Sequence, residues 1–332
     1  MGINISKAID LHLHLDGAIS LKSARELARL QQISIPESDE ELTMMMRVSP
    51  DCTNLNEFLE KFEFPCSLLQ TEIGIETAMF NLCEELSDRD LAYAEVRFAP
   101  SKCCDKGLTQ GQVVRAAVKG MKRSKMNCRL ILCCMRGDND TVNKETIQVA
   151  KQFIADGVVG VDLAGAEALY PTKWYEDLFK LARELDIPFT IHAGEAAGAE
   201  SILAAIDMGA RRIGHGTHSM ENPEVIEKLA NRQIPVEMCP TSNLQTHAIE
   251  NIEDLPLRKF IEAGILVTIN TDDPTIEGTT IYDEWQKVIE TFNLTDAEIR
   301  QLRTNSIKAS FLSDEEKKKL QKELENYIQT IN

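Results

Sequence analysis

Eight short runs rich in valine, isoleucine and leucine recur along the chain, with stretches of helical period between them. They are residues 8–15 (AIDLHLHL), 91–98 (LAYAEVRF), 128–135 (CRLILCCM), 159–164 (VGVDLA), 188–193 (PFTIHA), 211–215 (RRIGH), 234–239 (IPVEMC) and 265–271 (ILVTINT). Gly, Pro, Asp or Asn bounds each run, as expected for strands. Several are almost continuously apolar, the pattern of parallel strands covered on both faces. Helical stretches such as KETIQVAKQFIADG, WYEDLFKLARELDI, AESILAAIDMGA and PEVIEKLANRQI lie between them. Two capping boxes, Thr295 with Glu298 and Ser313 with Glu316, open the last helices. Eight strands alternating with helices over 332 residues predict an α/β fold of the (β/α)8 barrel type. The competing arrangement is an open doubly wound sheet. It would ordinarily carry a glycine-rich phosphate turn after the first strand, and HLDGAIS is not one. No repeat or Gly/Ser/Pro linker divides the chain, so residues 1–332 read as a single domain.

One connection breaks the rhythm. About 75 residues separate the first two runs, and they include NLNEFLEKFEF and TEIGIETAMFNLCEELSD, both of helical period. Leu55, Phe58, Leu59 and Phe62 fall at i, i+3, i+4 and i+7, one apolar stripe. Such a stripe commonly marks a helix packed on the barrel. The connection also leaves the C-terminal end of the first strand, the face where barrel enzymes keep their sites, which fits a lid. A helical lid insertion is expected over about residues 16–90.

A formal net charge of −17 repels phosphate backbones and anionic headgroups at long range. Neither nucleic acid nor membrane is expected as a partner, and a neutral or cationic small molecule is favoured. No apolar run approaches the roughly 20 residues of a membrane span. No secretory signal opens the chain. Met1-Gly2 with Ser6 resembles the start of a lipidation motif, but the first strand follows closely and no lipid is expected. Nine cysteines without a C-x-x-C pair fit a reducing cytoplasm.

Polar residues that would be odd in a core fall at the ends of these runs. His12 and His14 lie at i and i+2, so both imidazoles share one face and can reach one ion. His192 ends the fifth run, His215 the sixth, and Asp272 and Asp273 the eighth. Gly165 ends the fourth. Three histidines and Asp272 fit zinc with one position left for water. Iron, cobalt or manganese could use the same set. Some barrel hydrolases bridge two metals with a lysine at the end of strand four. Here that strand ends in DLAG, so one ion is expected, able to lower the pKa of water from 15.7 toward about 7. Glu195, three residues past His192, can donate a proton if burial raises its pKa. It also reads as a glutamate favoured at a helix N-terminus. His215 can orient the water or accept its proton, or be a hydrogen-bonded core histidine. Asp273 should point away from Asp272, as strand neighbours do, and meet a polar ligand atom from the adjacent loop. His218 and His247 read as solvated or structural. Arg97 and Arg136, at the ends of strands two and three, fit no role.

Taken together, HLHLDGAIS, DLAGAE, HAGE, GHGTHS, CPTSN and NTDDP resemble the adenosine deaminase family of metal-dependent amidohydrolases. LNEFLEKF and EVRFAP belong to the same pattern, and the likeness runs from Asp10 through SFLSDEEKKKL. It implies one zinc ion held by His12, His14, His192 and Asp272, with His14 also bordering the substrate. It implies that Glu195 protonates N1 of a purine and that His215 positions and deprotonates the attacking water. Asp273 would meet N7, the Gly165 N–H would meet N3, and Asp16 would hold the ribose 5′-hydroxyl. Leu55, Phe58, Leu59 and Phe62 would form an apolar gate. The implied reaction converts adenosine and 2′-deoxyadenosine to inosine and 2′-deoxyinosine with release of ammonia, in purine salvage. The alternative is deamination of adenine or of a modified adenine nucleoside. Relatives of that kind tend to carry glutamate in HLEG, whereas this chain has HLDG. The lack of a lysine or arginine near the motifs speaks against a nucleotide. The oligomeric state stays open. Deaminases built on H-x-E with P-C-x-x-C are excluded, because neither motif occurs.

Overall fold

The computed structural model describes residues 5–331. The lipidation-like start at Gly2 lies outside the described residues. Eight parallel strands form: β1 (Ile9–His14), β2 (Tyr93–Phe98), β3 (Cys128–Met135), β4 (Val158–Ala164), β5 (Thr190–Ala193), β6 (Arg212–His215), β7 (Val236–Met238) and β8 (Val267–Ile269). They pair in sequence order as two four-stranded sheets. Parallel bridges between Val161 and Phe189 and between Leu13 and Asp272 join the sheets at both seams. Across the second seam His14 N–H donates to the Asp272 carbonyl and Asp272 N–H to that of His12, each at 2.8 Å. The result is the closed (β/α)8 barrel that the alternation predicts.

All eight expected strands are present, most of them trimmed at their ends. β8 is cut most, from 265–271 to Val267–Ile269. Asn270 explains the cut, because its side chain does work that ladder groups would otherwise do. Its Oδ1 accepts from Leu11 N–H at 3.1 Å and its Nδ2 donates to the Met238 carbonyl at 3.2 Å. The chain then turns at Asp272, whose φ of 74° is left-handed. Both expected capping boxes close, Thr295 with Glu298 and Ser313 with Glu316.

Five helices fill the long first connection: α1 (Leu21–Gln31), α2 (Asp39–Met46), α3 (Leu55–Leu59), α4 (Glu63–Ser67) and α5 (Glu72–Asp88). They divide by what they bury. Leu27 of α1 and Ile75 and Met79 of α5 join the main core. Leu55 and Phe58 of α3 instead pack with Val48, Cys52 and Ile276 in a small separate cluster above the barrel mouth. No helix among the described residues is long and apolar enough to cross a membrane.

Candidate active site

His12 and His14 sit on β1, and both side chains enter the barrel mouth, as their i, i+2 spacing predicts. His192 arrives from β5 and Asp272 from the turn after β8. One donor atom from each of the four lies within 4.8 Å of the others. His192 Nε2 is 3.1 Å from His12 Nε2 and 3.3 Å from His14 Nε2. Asp272 Oδ1 stands 3.1 and 3.3 Å from the same two histidine nitrogens, yet it accepts no hydrogen bond. Four donors at roughly 2.1 Å from a tetrahedral ion would be about 3.4 Å apart. Nitrogen lone pairs facing one another at this distance need a cation between them. The electrostatics agree. Burial and Arg97 oppose charge on His12, but Asp272 and Glu237 raise it to about 9. Burial holds His14 well below the usual imidazole range. The residues present therefore fit a divalent metal.

The outer nitrogens of His12 and His192 are fixed by carboxylates. His12 Nδ1 bonds Glu237 Oε2 at 2.7 Å, and His192 Nδ1 bonds Asp162 Oδ2 at 2.9 Å. Each carboxylate accepts a hydrogen bond from the Nδ1–H, which fixes that tautomer and so leaves Nε2 free to ligate. Arg97 now finds its place. It donates from Nη1 to Asp162 at 2.8 Å, from Nη2 to Glu237 at 2.9 Å, and also to the Leu11 carbonyl. Arg212 joins Glu237 to Glu95 and lies 3.8 Å from the Phe311 ring centroid. All five charged residues of this network are completely buried. Burial opposes ionisation of Glu237 and Asp162, but Arg97 with Arg212, and His192 with Arg97, hold their carboxyls well below the ordinary range. Sequence reading left Arg97 without a role and missed the other four. The available signal was charge inside apolar strand runs, in AEVRF, VGVDLA, RRIGH and IPVEMC.

Glu195 stands on the loop after β5, ahead of the helix Ala199–Asp207, so its reading as a helix N-terminal residue is set aside. Its carboxyl is buried, and burial together with the charges of Asp272 and Glu167 raises it to about 8. Oε2 is 3.5 Å from His215 Nε2, and Oε1 is 3.1 Å from Thr246 Oγ1. Glu167 holds the loop. Its carboxylate accepts from the backbone N–H groups of Gly194 (2.8 Å), Glu195 (3.0 Å), Ala196 (2.8 Å) and Ala197 (3.1 Å), and from Ser201. Arg136 braces the same turn by donating to the His192 carbonyl at 2.6 Å and to Thr172 Oγ1 at 2.9 Å. His215 ends β6 with a left-handed φ of 63°. Asn243 Nδ2 meets its Nδ1 at 2.9 Å, and burial lowers its pKa. Left-handed backbone at two non-glycine site residues, His215 and Asp272, is strain of the kind that functional sites retain.

These groups open on one cavity of about 800 Å³. Asp16, Gly165, Asp273, Leu55, Phe58, Leu59 and Phe62 all line it, together with His14, His192, Asp272, Glu195 and His215. Asp273 needs a correction. Strand alternation does not apply to it, because β8 ends at Ile269; the left-handed turn at Asp272 sends both carboxylates into the same cavity. Its close seat also explains Gly17, where a Cβ would fall 1.8 Å from Asp273 Oδ1. Burial, then Asp272, pushes Asp273 well above the carboxylate range, and burial pushes Asp16 up to about 6. The expected lack of basic residues near the site is also corrected, since Lys102 and Lys106 line the cavity. The two are distant in sequence from the histidine and aspartate motifs, so linear spacing hid them. His218 bonds the Gly194 carbonyl and His247 that of Cys52, both structural contacts.

The sequence profile of the adenosine deaminase family matches residues 7–327. The chain is 44% identical to an adenosine deaminase of Haemophilus ducreyi over 330 residues, covering 96% of each chain. It is 37% identical to one of Enterococcus faecalis, covering 96% of this chain and 95% of that one. Among solved structures it resembles an adenine deaminase of Arthrobacter aurescens, with a TM-score of 0.86 at 27% identity over 98% of this chain and 99% of that one. An Arabidopsis N6-mAMP deaminase gives 0.86 at 25% identity, over 97% and 98%.

Proposed function

The chain belongs to the adenosine deaminase family, and from that premise we propose that it hydrolyses the 6-amino group of adenosine and 2′-deoxyadenosine. Water is consumed, and inosine or 2′-deoxyinosine and ammonia are released. The observation that carries this reading is Glu195, a buried acid raised to about 8 that opens on the same cavity as a four-donor metal cluster. A carboxyl protonated at neutral pH, beside an electrophile-activating site, suits protonation of a weakly basic ring nitrogen.

His12, His14, His192 and Asp272 would hold one divalent ion, zinc by the N and O donor set. Such an ion supplies Lewis acidity that brings the ionisation of water into the neutral range. Glu195 delivers its proton to N1 of the purine, which draws electrons from C6 and opens it to attack. His215, kept neutral by burial, orients the attacking water and accepts its proton. Asp273 is protonated by its surroundings and can donate to N7. The Gly165 N–H faces N3. Asp16 takes the 5′-hydroxyl, and Leu55, Phe58, Leu59 and Phe62 close an apolar roof that excludes water. The whole chain acts as one catalytic domain, with a lid drawn from residues of about 16–90. Its nine unpaired cysteines suit a cytoplasmic setting.

A second reading takes adenine or an N6-methylated nucleotide as substrate, the activities named for two structural relatives. Asp16 argues against a nucleotide, since a carboxylate at the 5′ position repels phosphate. Initial rates with adenosine, 2′-deoxyadenosine, adenine, AMP and N6-methyl-AMP, followed in the ultraviolet alongside metal analysis, separate the readings. Adenosine and 2′-deoxyadenosine should lead. A faster rate with adenine, AMP or N6-methyl-AMP overturns the proposal.

A further inference from the structure

Glu195 must present its proton to the cavity, yet a carboxyl has two oxygens and one proton. Oε2 faces the reacting groups, 3.5 Å from His215 Nε2. Oε1 faces away, toward Thr246 Oγ1 at 3.1 Å. Thr246 is buried at the C-terminal end of the short helix Pro240–Gln245. Its hydroxyl has a single proton and two acceptors in reach, Glu195 Oε1 and the Ser242 carbonyl at 3.0 Å. The Ser242 carbonyl already accepts the Thr246 backbone N–H at 2.8 Å. Among the described residues Oε1 has no other hydrogen-bond partner, and burial makes an unpaired carboxylate oxygen costly.

We infer that Thr246 is a positioning residue for the proposed deamination: its hydroxyl occupies Oε1 of Glu195, so that the proton to be delivered is carried on Oε2. Were the carboxyl proton on Oε1, it would point at Thr246 and away from the purine, and delivery would first require the proton to change oxygens. The bond gains strength as the reaction proceeds. When Oε2 gives up its proton to the ring nitrogen, Glu195 becomes an anion near Asp272, Glu167, His12 and His215. The hydroxyl is the neutral donor that meets this charge. A contact that strengthens as charge develops raises kcat rather than lowering KM.

The same short helix reaches two other parts of the site. Asn243 contacts His215 Nδ1, and His247 just beyond the helix bonds the Cys52 carbonyl ahead of α3. The acid, the base and the roof are thus referenced to one element.

The inference rests on the deaminase reading, so the parent protein is assayed first with adenosine; an inactive parent would defeat that reading and leave Thr246 without a role. With an active parent, Thr246→Val should lower kcat about 10- to 100-fold, the range for losing a hydrogen bond to a charged group. KM and metal content should stay near those of the parent. Thr246→Ser keeps the hydroxyl and should restore most of the rate. In a Glu195→Gln background Thr246→Val should cost little more, because the proton it positions is gone. Three results overturn the inference: an unchanged kcat in Thr246→Val, a serine variant as slow as the valine one, or losses that add in the double variant. Unfolding of all variants is compared by melting temperature. If the valine variant does not fold, the serine variant and Thr246→Ala carry the same comparison.

Discussion

On the floor of the cavity the ligand histidines stand on strands and lean on carboxylates, which two completely buried arginines neutralise. On the facing wall Glu195 stands on a loop, and among the described residues no arginine or lysine pairs with its carboxyl. Its backbone hangs from the carboxylate of Glu167 and its side chain from the hydroxyl of Thr246. The chemistry explains the contrast. Metal ligands need fixed geometry and an anionic surround, so full charges are matched by full countercharges. An acid must stay protonated near neutral pH, and a cation against its carboxyl would ionise it. The carboxyl of Glu195 therefore meets a hydroxyl rather than a cation, and the charges of Asp272 and Glu167 push the acid in the useful direction.

The most direct way to break this division is to damage each half alone. Glu195→Gln should lower kcat by about 10²- to 10⁴-fold, the usual contribution of a general acid. Its metal content should equal that of the parent. His12→Ala should lose both metal and activity. Elemental analysis beside the ultraviolet assay reads the two effects separately. Metal loss in Glu195→Gln would mean that wall and floor are one structure.

Stability should fall unequally. Arg97→Met removes the buried cation that Asp162 and Glu237 share, leaving Asp162 with His192 and Glu237 with His12 and Arg212, at a cost of about 3–5 kcal/mol. Arg136→Met removes donors from the neutral oxygens of His192, Tyr170 and Thr172, at about 1–2 kcal/mol. Urea unfolding of the metal-free proteins compares them directly. Equal losses would show that charge matching on the floor is no different from bracing on the wall.

The pH dependence sharpens the same point. Glu195 works in its protonated form, which is present below its pKa and lost above it. Activity should therefore decline as pH rises through about 8. A cation bound on the floor pulls that limb downward, so metal-loaded enzyme should decline at or below this value. A kcat/KM profile with adenosine measures it. A profile flat to pH 9 would remove Glu195 as the acid.

The floor was more legible in the sequence than the wall, and the reason is geometric. An i, i+2 pair on a strand has one relative orientation, so His12 and His14 declared a shared target without a structure. Strand ends located His192, and the alternation of runs located the barrel. The network behind them was half visible. Glu95, Arg97, Asp162, Arg212 and Glu237 each interrupt an apolar run, but which charge meets which depends on strand order around a closed sheet. The wall depends on contacts without local pattern. Glu167 lies 28 residues from Glu195 and Thr246 lies 51 residues away. Short polar side chains in loops look alike whether they grip a catalytic turn or water. Asp273 shows the opposite failure, a periodic rule carried four residues past the end of a strand.

The roof offers the mildest test, because it leans on only one side of this divide. Phe58 and Phe62, with ring centroids 6.2 Å apart, pack in the cluster that includes Leu59 and Ala196, the residue after Glu195. The roof thus rests on the wall, not on the charged floor. Leu59→Ala removes apolar surface facing the substrate and leaves every ligand in place. It should raise KM by about tenfold, the scale of a few methylene groups in an apolar pocket, with kcat and metal content near those of the parent. A fall in kcat without a change in KM would mean that α3 acts through Ala196 on the aim of Glu195. The roof would then belong to the positioning machinery of the wall rather than to the binding of substrate.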